Sequence, residues 1–135
     1  MKSSAWFGHC LFFLATLVGR LPFTVQRRLG AALGSIFYRR NTRETRVARR
    51  SFEFNAAVPA EQREALVKQI MQSAGRNLME TLRVWTRSQA DNLRLIKNVH
   101  GIEHLENAEA QGKGVILCAP HYGNWELLIE FMAAR

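Results

Sequence analysis

His121 and Glu126 are the pair of side chains in this sequence best suited to acid–base chemistry. A carboxylate that binds one imidazole nitrogen fixes the tautomer of the ring and stabilises the imidazolium. The other nitrogen is then free to take a proton from a hydroxyl group. Such a pair is the base and orienting acid of a catalytic triad without a serine nucleophile. The pattern therefore favours direct attack of a substrate alcohol on an activated acyl group.

The spacing of the two residues limits where they can lie. Five helical steps of about 100° each would place them on different faces of a single helix. They can meet only if His121 lies in a turn and Glu126 lies in the first turn of the following helix. Pro120 and Gly123 favour such a bend, and Asn124 is suited to cap the helix.

A strand and a helix are predicted on the two sides of this turn. The apolar run 115–119 is bounded by turn residues, which is typical of a strand covered on both faces. Beyond the turn, four apolar residues recur at helical spacing: Leu127, Leu128, Phe131 and Met132. A second strand is predicted at 95–100, and a short helix at 101–111 that Gly112 ends. Because open α/β sheets bind ligands at the carboxyl ends of their strands, we expect the site at this edge.

Residues 112–128 read G-K-G-V-I-L-C-A-P-H-Y-G-N-W-E-L-L. This stretch resembles the H-x4-D/E acyltransferases, and more narrowly the bacterial lipid A late acyltransferases, the lauroyl/myristoyl transferase family. The resemblance implies that His121 is the general base and that Glu126 is its partner. It also implies substrate binding by the remaining motif residues, which are Gly123, Asn124 and Trp125. Glu80 matches a glutamate of the family, although a structural role is the first interpretation of a glutamate on a helix.

The resemblance also implies the reaction and its setting. The expected donor is an acyl chain on acyl carrier protein, and the expected acceptor is a hydroxyl of a lipid A precursor, with no cofactor. The expected location is the cell inner membrane, with the catalytic part facing the cytoplasm. Because the family is longer than this chain, we expect residues 59–135 to be the start of a truncated α/β acyltransferase domain. The alternative function is that of a catalytically inactive, membrane-binding fragment.

The positive charge of the chain is concentrated in its first part. Residues 1–58 carry ten Lys and Arg against two Glu, a net charge of +8, whereas residues 59–135 carry nine of each sign. Residues 23–58 are therefore predicted to form a basic, amphipathic helical region suited to an anionic membrane leaflet. Attraction to phosphate headgroups, simple membrane orientation and a solvated basic face remain open interpretations. No aromatic residues interleave with these arginines as in single-strand nucleic-acid readers, so nucleic acid is not an expected partner.

Residues 1–22 are predicted to be an apolar membrane anchor. The apolar run 5–18 is shorter than the roughly 20 residues that a membrane span prefers. A tilted span, a monotopic anchor, the apolar core of a signal peptide and a buried core helix all remain open. The sequence Arg20-Leu21-Pro22 lacks the small residues of a cleavage site. Because the arginines follow the run, the positive-inside rule places the rest of the chain in the cytoplasm.

Two further helices are predicted from apolar periodicity. The predicted apolar face of the helix at 23–38 comprises Val25, Leu29, Ala32, Leu33, Ile36 and Phe37. A long helix is predicted to begin with Pro59 in its first position. Its apolar stripe comprises Leu66, Val67, Ile70, Met71, Ala74, Leu78, Leu82 and Trp85. We expect this stripe to pack over the sheet.

A zinc site is the rival interpretation of the histidines. His100, His104, Cys118 and His121 have spacings that metal sites use. However, His100 and His104 lie on the two sides of Gly101, and no second cysteine lies near Cys118 in the sequence, so no metal is expected. The two cysteines do not predict a disulfide, because Cys10 lies in the apolar anchor and Cys118 in a buried strand near a cytoplasmic site.

Overall fold

The computed structural model of the protein describes residues 2–54, 58–120 and 122–135, without the side chains of residues 2–5. These residues form seven helices: α1 Lys2–Arg20, α2 Phe23–Arg39, α3 Arg43–Glu53, α4 Ala60–Thr86, α5 Gln89–Leu93, α6 Ile102–Glu109 and α7 Trp125–Ala133. They fall into two compact units, Met1–Arg87 and Ser88–Arg135.

The first unit is built around a close crossing of α2 and α4. Gly30 and Gly34 on α2 face Gly75 on α4, and all three glycines are buried. A Cβ atom on any of them would collide with the backbone of the opposite helix. Small residues allow two helix backbones to approach this closely. The crossing is therefore a backbone-to-backbone contact rather than an interface of large side chains.

The apolar face predicted for α2 is not the face that the helix buries in this unit. The buried residues of α2 are Gln26 and the two crossing glycines. Val25, Leu29 and Ile36, from the predicted apolar face, are 38%, 46% and 44% exposed. A glycine face that contacts backbone directly takes the interior position, and the larger apolar side chains are left outside.

The predicted apolar stripe of α4 is confirmed only in part. Val67 and Met71 are buried, and Val84 completes the buried apolar set of the described residues. Ile70, Leu78 and Trp85, from the same stripe, are 43%, 45% and 65% exposed. The helix begins at Ala60, so Pro59 occupies the N-cap and not the first helical position.

Gln26 closes the carboxyl end of α1. Its side chain is fully buried. Its amide nitrogen lies 2.9, 3.1 and 3.0 Å from the carbonyl oxygens of Val18, Gly19 and Leu21. The last carbonyl groups of a helix have no partner within the helix, so a side-chain donor stabilises that end. This contact fixes the turn between α1 and α2.

A polar cluster of four residues joins α3 to α2 and α4. Arg49 donates two hydrogen bonds to the Glu64 carboxylate, at 2.6 and 3.1 Å, and one to the side chain of Asn41. The Tyr38 hydroxyl donates to the same carboxylate at 2.9 Å. The Arg49 hydrogen bond, and after it that of Tyr38, lowers the pKa of the Glu64 carboxyl below its ordinary value. The cluster therefore favours the ionised carboxylate.

The second unit contains α5, α6 and α7, and no strand forms among its described residues. Residues 115–119, which were predicted to be a buried strand, are irregular, and Ile116 is 92% exposed. Cys118 is exposed as well. Residues 96–100 are irregular too, so the second predicted strand is not formed. Because a strand needs a neighbour to pair its backbone groups, an apolar run without one stays irregular. The predicted α/β fold is thus not confirmed in the described residues.

The remaining predictions for this region concern its helices. The short helix predicted at 101–111 is confirmed as α6, and Gly112 follows it with a φ of 67°. The helix predicted after the turn is confirmed as α7. In the described part of the chain, no helix combines the length and the apolar composition that crossing a membrane requires.

Candidate active site

The candidate site lies at the amino end of α7. Asn124 is the N-cap of this helix, and its Oδ1 atom accepts a hydrogen bond of 3.3 Å from the backbone N–H of Leu127. The predicted cap is therefore confirmed. Just before it, Gly123 has a φ of 70°, a conformation that costs other residues about 1–2 kcal/mol. The glycine and the cap together set the direction in which the chain enters the helix.

Glu126 lies in the first turn of α7 and is partly buried. This is the position that the His-x4-Glu spacing requires of it. His121 lies outside the described residues, so its contact with Glu126 stays a prediction. The amino end of a helix carries a partial positive charge, which stabilises Glu126 and any other negative charge close to it. A carboxylate and a helix amino end are thus both present where a general base is predicted.

The other predicted motif residues surround this turn. Trp125 is 37% exposed, and Tyr122, beside the predicted base, is 88% exposed. Gly123 and Asn124 shape the backbone as described above, which is a positioning role. Substrate contact by Gly123, Asn124 and Trp125 remains a prediction.

An open groove of about 310 Å³ begins at the capping residue. Its lining is mainly apolar and comprises Ile96, Asn98, Val99, His100, Asn124, Leu127, Leu128 and Phe131. A second groove of about 360 Å³ shares Ile96, Val99 and Phe131 with the first, and it extends to Ala134. These grooves are not among the features predicted from the sequence. The helical spacing of Leu127 and Phe131 is the signal from which their apolar wall could have been found.

Two polar side chains of α5, those of Gln89 and Asn92, connect it to α7. Asn92 is fully buried, and its Nδ2 atom donates a hydrogen bond of 3.2 Å to Oε1 of Glu130. The Gln89 side chain donates to the backbone carbonyl of Glu130 at 3.3 Å. Sequence reasoning missed this contact, because an Asn and a Glu at a separation of 38 residues carry no local signal.

The residues of the rival zinc site are not gathered in the described part of the chain. No group of three His, Cys, Asp or Glu side chains that could hold a metal ion occurs there. His104 lies beside Glu103, with 3.9 Å between Nε2 and Oε1, and its side chain is 85% exposed. Cys10 and Cys118 are both free thiols.

Comparison with known proteins identifies the family. Residues 2–135 match the sequence profile of the bacterial lipid A biosynthesis acyltransferases. The chain belongs to this family. The resemblance to the lipid A late acyltransferases is therefore confirmed, and the match covers nearly the whole sequence.

Individual acyltransferases match the chain over much of its length. The lipid A biosynthesis lauroyltransferase of Escherichia coli (strain K12) is 33% identical over 112 residues, which are 82% of this chain and 36% of the relative. The lipid A biosynthesis palmitoleoyltransferase of the same organism is 29% identical over 125 residues, 90% of this chain and 39% of the relative. The phosphatidylinositol mannoside acyltransferase of Mycobacterium tuberculosis (strain CDC 1551 / Oshkosh) is 33% identical over 81 residues, 59% of this chain and 24% of the relative.

The chain spans well under half the length of these relatives. No solved structure matches it.

Proposed function

We propose that this chain is part of an enzyme that transfers a fatty acyl chain from acyl carrier protein to a hydroxyl of a lipid A precursor. The observation that carries the proposal is the capped amino end of α7, which holds Glu126 in its first turn, five residues after His121. Family membership supports the acyl transfer. The names of the relatives, which include a lauroyltransferase and a palmitoleoyltransferase of lipid A biosynthesis, support the acceptor.

The proposed reaction needs one base and one site for negative charge. His121 takes the proton of the acceptor hydroxyl while Glu126 holds the imidazole and stabilises its positive charge. The acceptor oxygen attacks the thioester carbonyl, and the carbonyl oxygen becomes an oxyanion that the amino end of α7 stabilises. The C–S bond then breaks, and the imidazolium returns the proton to the departing thiolate of the carrier. No cofactor takes part in this scheme.

We also propose that residues 115–119 form a strand of an α/β domain when a neighbouring strand is available. Their apolar composition supports this, because Val115, Ile116 and Leu117 are 41%, 92% and 50% exposed without one. The relatives support it too, since more than half of their length lies outside the part that this chain matches. Such a strand would bring His121 to the carboxyl edge of a sheet.

The first unit is the proposed membrane-binding part, at the cytoplasmic face of the inner membrane. The outer side of α1 presents large apolar side chains that are 47–72% exposed: Trp6, Phe7, Leu11, Phe12, Phe13, Leu14 and Leu17. Exposed apolar surface of this extent marks an interaction site. Residues 1–58 also carry the whole excess of positive charge, which attracts an anionic leaflet.

Replacing His121 tests the proposed reaction. In protein expressed from its complete reading frame, His121→Ala should lower acyl transfer from acylated carrier protein to a lipid A precursor by about 10²–10⁴-fold, the usual contribution of a general base. His104→Ala is the matched control, because this exposed histidine lies outside the site. Similar transfer rates for the two variants would rule out His121 as the base.

An inactive, membrane-binding fragment is the second candidate function. The exposed apolar surface of α1 favours it, because that surface does not depend on the chemistry of residues 121–126. Flotation with liposomes of anionic phospholipid separates the two candidates when it is combined with the transfer assay. Binding without any His121-dependent transfer would support the fragment, whereas His121-dependent transfer would exclude it.

A further inference from the structure

We propose that Asn92 and Glu130 are positioning residues of the acyltransferase site, which set the rotation of α7 and thereby the direction of Glu126. The proposal rests on the acyl-transfer function proposed above. It concerns two side chains that lie in the same unit as the candidate site and do not belong to the His-x4-Glu motif.

Two hydrogen bonds hold α7 against α5 at one position. The buried Asn92 donates to the Glu130 side chain at 3.2 Å, and Gln89 donates to the Glu130 carbonyl at 3.3 Å. One bond therefore holds the side chain of Glu130 and the other holds its backbone. With both bonds made, α7 can neither rotate nor slide along its axis without losing one of them.

Glu126 and Glu130 are one helical turn apart, so they lie on nearly the same side of α7. A rotation that moves one of them moves the other by the same angle. A side chain lies about 5–6 Å from the helix axis, so a rotation of 20° shifts it by about 2 Å. A displacement of about 1 Å in a catalytic constellation can cost 10²-fold in rate. Because Glu130 is one helical turn from Glu126, the Asn92–Glu130 contact is placed to control the direction of Glu126.

Stability alone does not account for a polar contact at this place. Burying a carboxylate and an amide is unfavourable, and a well-packed apolar pair is often at least as stable. The second carboxylate oxygen of Glu130, Oε2, is buried and has no hydrogen-bond partner among the described residues. A directional hydrogen bond specifies one orientation of the helix, whereas apolar contacts permit several. The contact thus suits a helix whose rotation matters for chemistry.

Asn92→Asp tests the proposal, because it replaces the donor by a second carboxylate and makes the contact repulsive. In protein expressed from its complete reading frame, we expect kcat to fall about 10–100-fold at pH 7.5, as expected for a misplaced catalytic group. The KM for each substrate should change less than about threefold, because the substitution does not touch the groups that bind substrate in the ground state.

The pH profile of this variant gives a second measurement. Two adjacent carboxylates raise the pKa of one of them, so one is protonated as the pH falls and can then donate a hydrogen bond. The hydrogen bond that this proton allows is present at low pH, and it is lost as the pH rises through the raised pKa. The ratio of variant to parent kcat should therefore rise as the pH falls from 7.5 to 5.5. A constant ratio would contradict the proposal.

If Asn92→Asp folds poorly, a double variant that exchanges the donor and the acceptor tests the proposal instead. In the double variant Asn92→Asp with Glu130→Gln, the aspartate accepts and the glutamine donates, so the contact is restored with its direction reversed. We expect kcat of the double variant to recover to within about fivefold of the parent, and to exceed that of either single variant. A double variant as impaired as the single ones would overturn the proposal. Asn107→Asp, on the exposed surface of α6, is the matched control for the charge change.

Hydrogen exchange separates a failure of this proposal from a failure of the proposed function. Protection of the α7 amides should fall in Asn92→Asp and return in the double variant, whether or not the protein transfers acyl groups. This pattern in a protein without His121-dependent transfer would refute the proposed function, and the assignment of Asn92 and Glu130 to an active site with it. His121-dependent transfer with an unchanged kcat in Asn92→Asp would refute the positioning role alone.

Discussion

At the scale of single residues, Asn124 determines how α7 begins beside the candidate base. Asn124→Ala removes the acceptor for the Leu127 N–H and should destabilise the helix by about 1 kcal/mol. Because Glu126 lies in the turn that frays, kcat should fall with it. Asn124→Ser supplies another good cap and should recover most of the stability and the rate. Thermal unfolding and transfer kinetics of the two variants check this. If Asn124→Ser recovers the stability but loses as much kcat as Asn124→Ala, the asparagine acts by substrate contact and not by capping.

Glu64 gives a prediction of pH dependence. Its carboxyl pKa is lowered in the folded protein, first by the hydrogen bond from Arg49, so the stabilisation is present above the unfolded pKa. It is lost as the pH falls through the lowered folded pKa. Glu64→Gln should therefore lower Tm at pH 7, by about 1–3 °C for an exposed pair, and the difference from the parent should shrink below pH 4.

A double-mutant cycle with Arg49→Met is the control for this effect. The coupling between the two substitutions should be measurable at pH 7 and should decline as the pH falls through the lowered pKa of the Glu64 carboxyl. A coupling that does not change with pH would assign the effect to packing of the arginine stem and not to charge.

At the scale of helices, the α2–α4 crossing is the feature most sensitive to substitution. Gly75→Ala places a Cβ atom against the backbone of Gly30, which cannot move aside as a flexible side chain can. We expect a loss of about 1–3 kcal/mol in the free energy of unfolding, the usual cost of overpacking. Gly8→Ala in α1 is the control, because nothing lies within 4 Å of its new Cβ atom and alanine favours the helix. Equal effects of the two substitutions would mean that α2 and α4 do not cross closely.

The same crossing shows why the sequence predicts where helices form better than it predicts which face of each helix is buried. Local signals such as an asparagine cap, a glycine after a helix and a 3.6-residue period predicted α6 and α7 correctly, because those signals act within one turn. The buried face of α2 could not be predicted because it is set by a glycine on α4, about 40 residues away, which no local periodicity reveals. The run 115–119 was predicted to be a strand from its composition, but strand formation depends on a pairing partner as well.

For the candidate site too, local features could be predicted from the sequence and contacts between distant segments could not. The positions of Asn124 and Glu126 follow from the turn and the spacing, and both are confirmed. The Asn92–Glu130 contact is not a pattern of one segment, so it could be seen only after α5 and α7 were placed. The groove beside Asn124 could not be predicted either, because Ile96 and Val99 belong to an irregular segment without periodicity.

At the scale of the whole chain, charge and apolar surface coincide in the first unit. Arg49 and Arg27 are neutralised there by carboxylates, with ion-pair distances of 2.6 Å to Glu64 and to Glu80. Glu80, which is predicted to match a glutamate of the family, thus has a structural partner in Arg27. Arg39 and Arg40, at the end of α2, are exposed and follow its exposed apolar residue Ile36 by three and four positions. Neighbours at this helical spacing share one surface, which places these two charges beside apolar side chains.

This arrangement predicts that particular arginines, and not the net charge alone, determine binding to an anionic membrane. Each basic residue near a membrane surface contributes about 1 kcal/mol, so Arg39→Gln with Arg40→Gln should weaken binding to anionic liposomes about 30-fold. It should also reduce the salt dependence of binding. The matched control is Arg94→Gln with Lys97→Gln, which removes two exposed positive charges from the second unit. Flotation at increasing salt measures both variants. Equal losses in the two would show that only the total charge matters, whereas a loss confined to the first would assign the membrane contact to the end of α2.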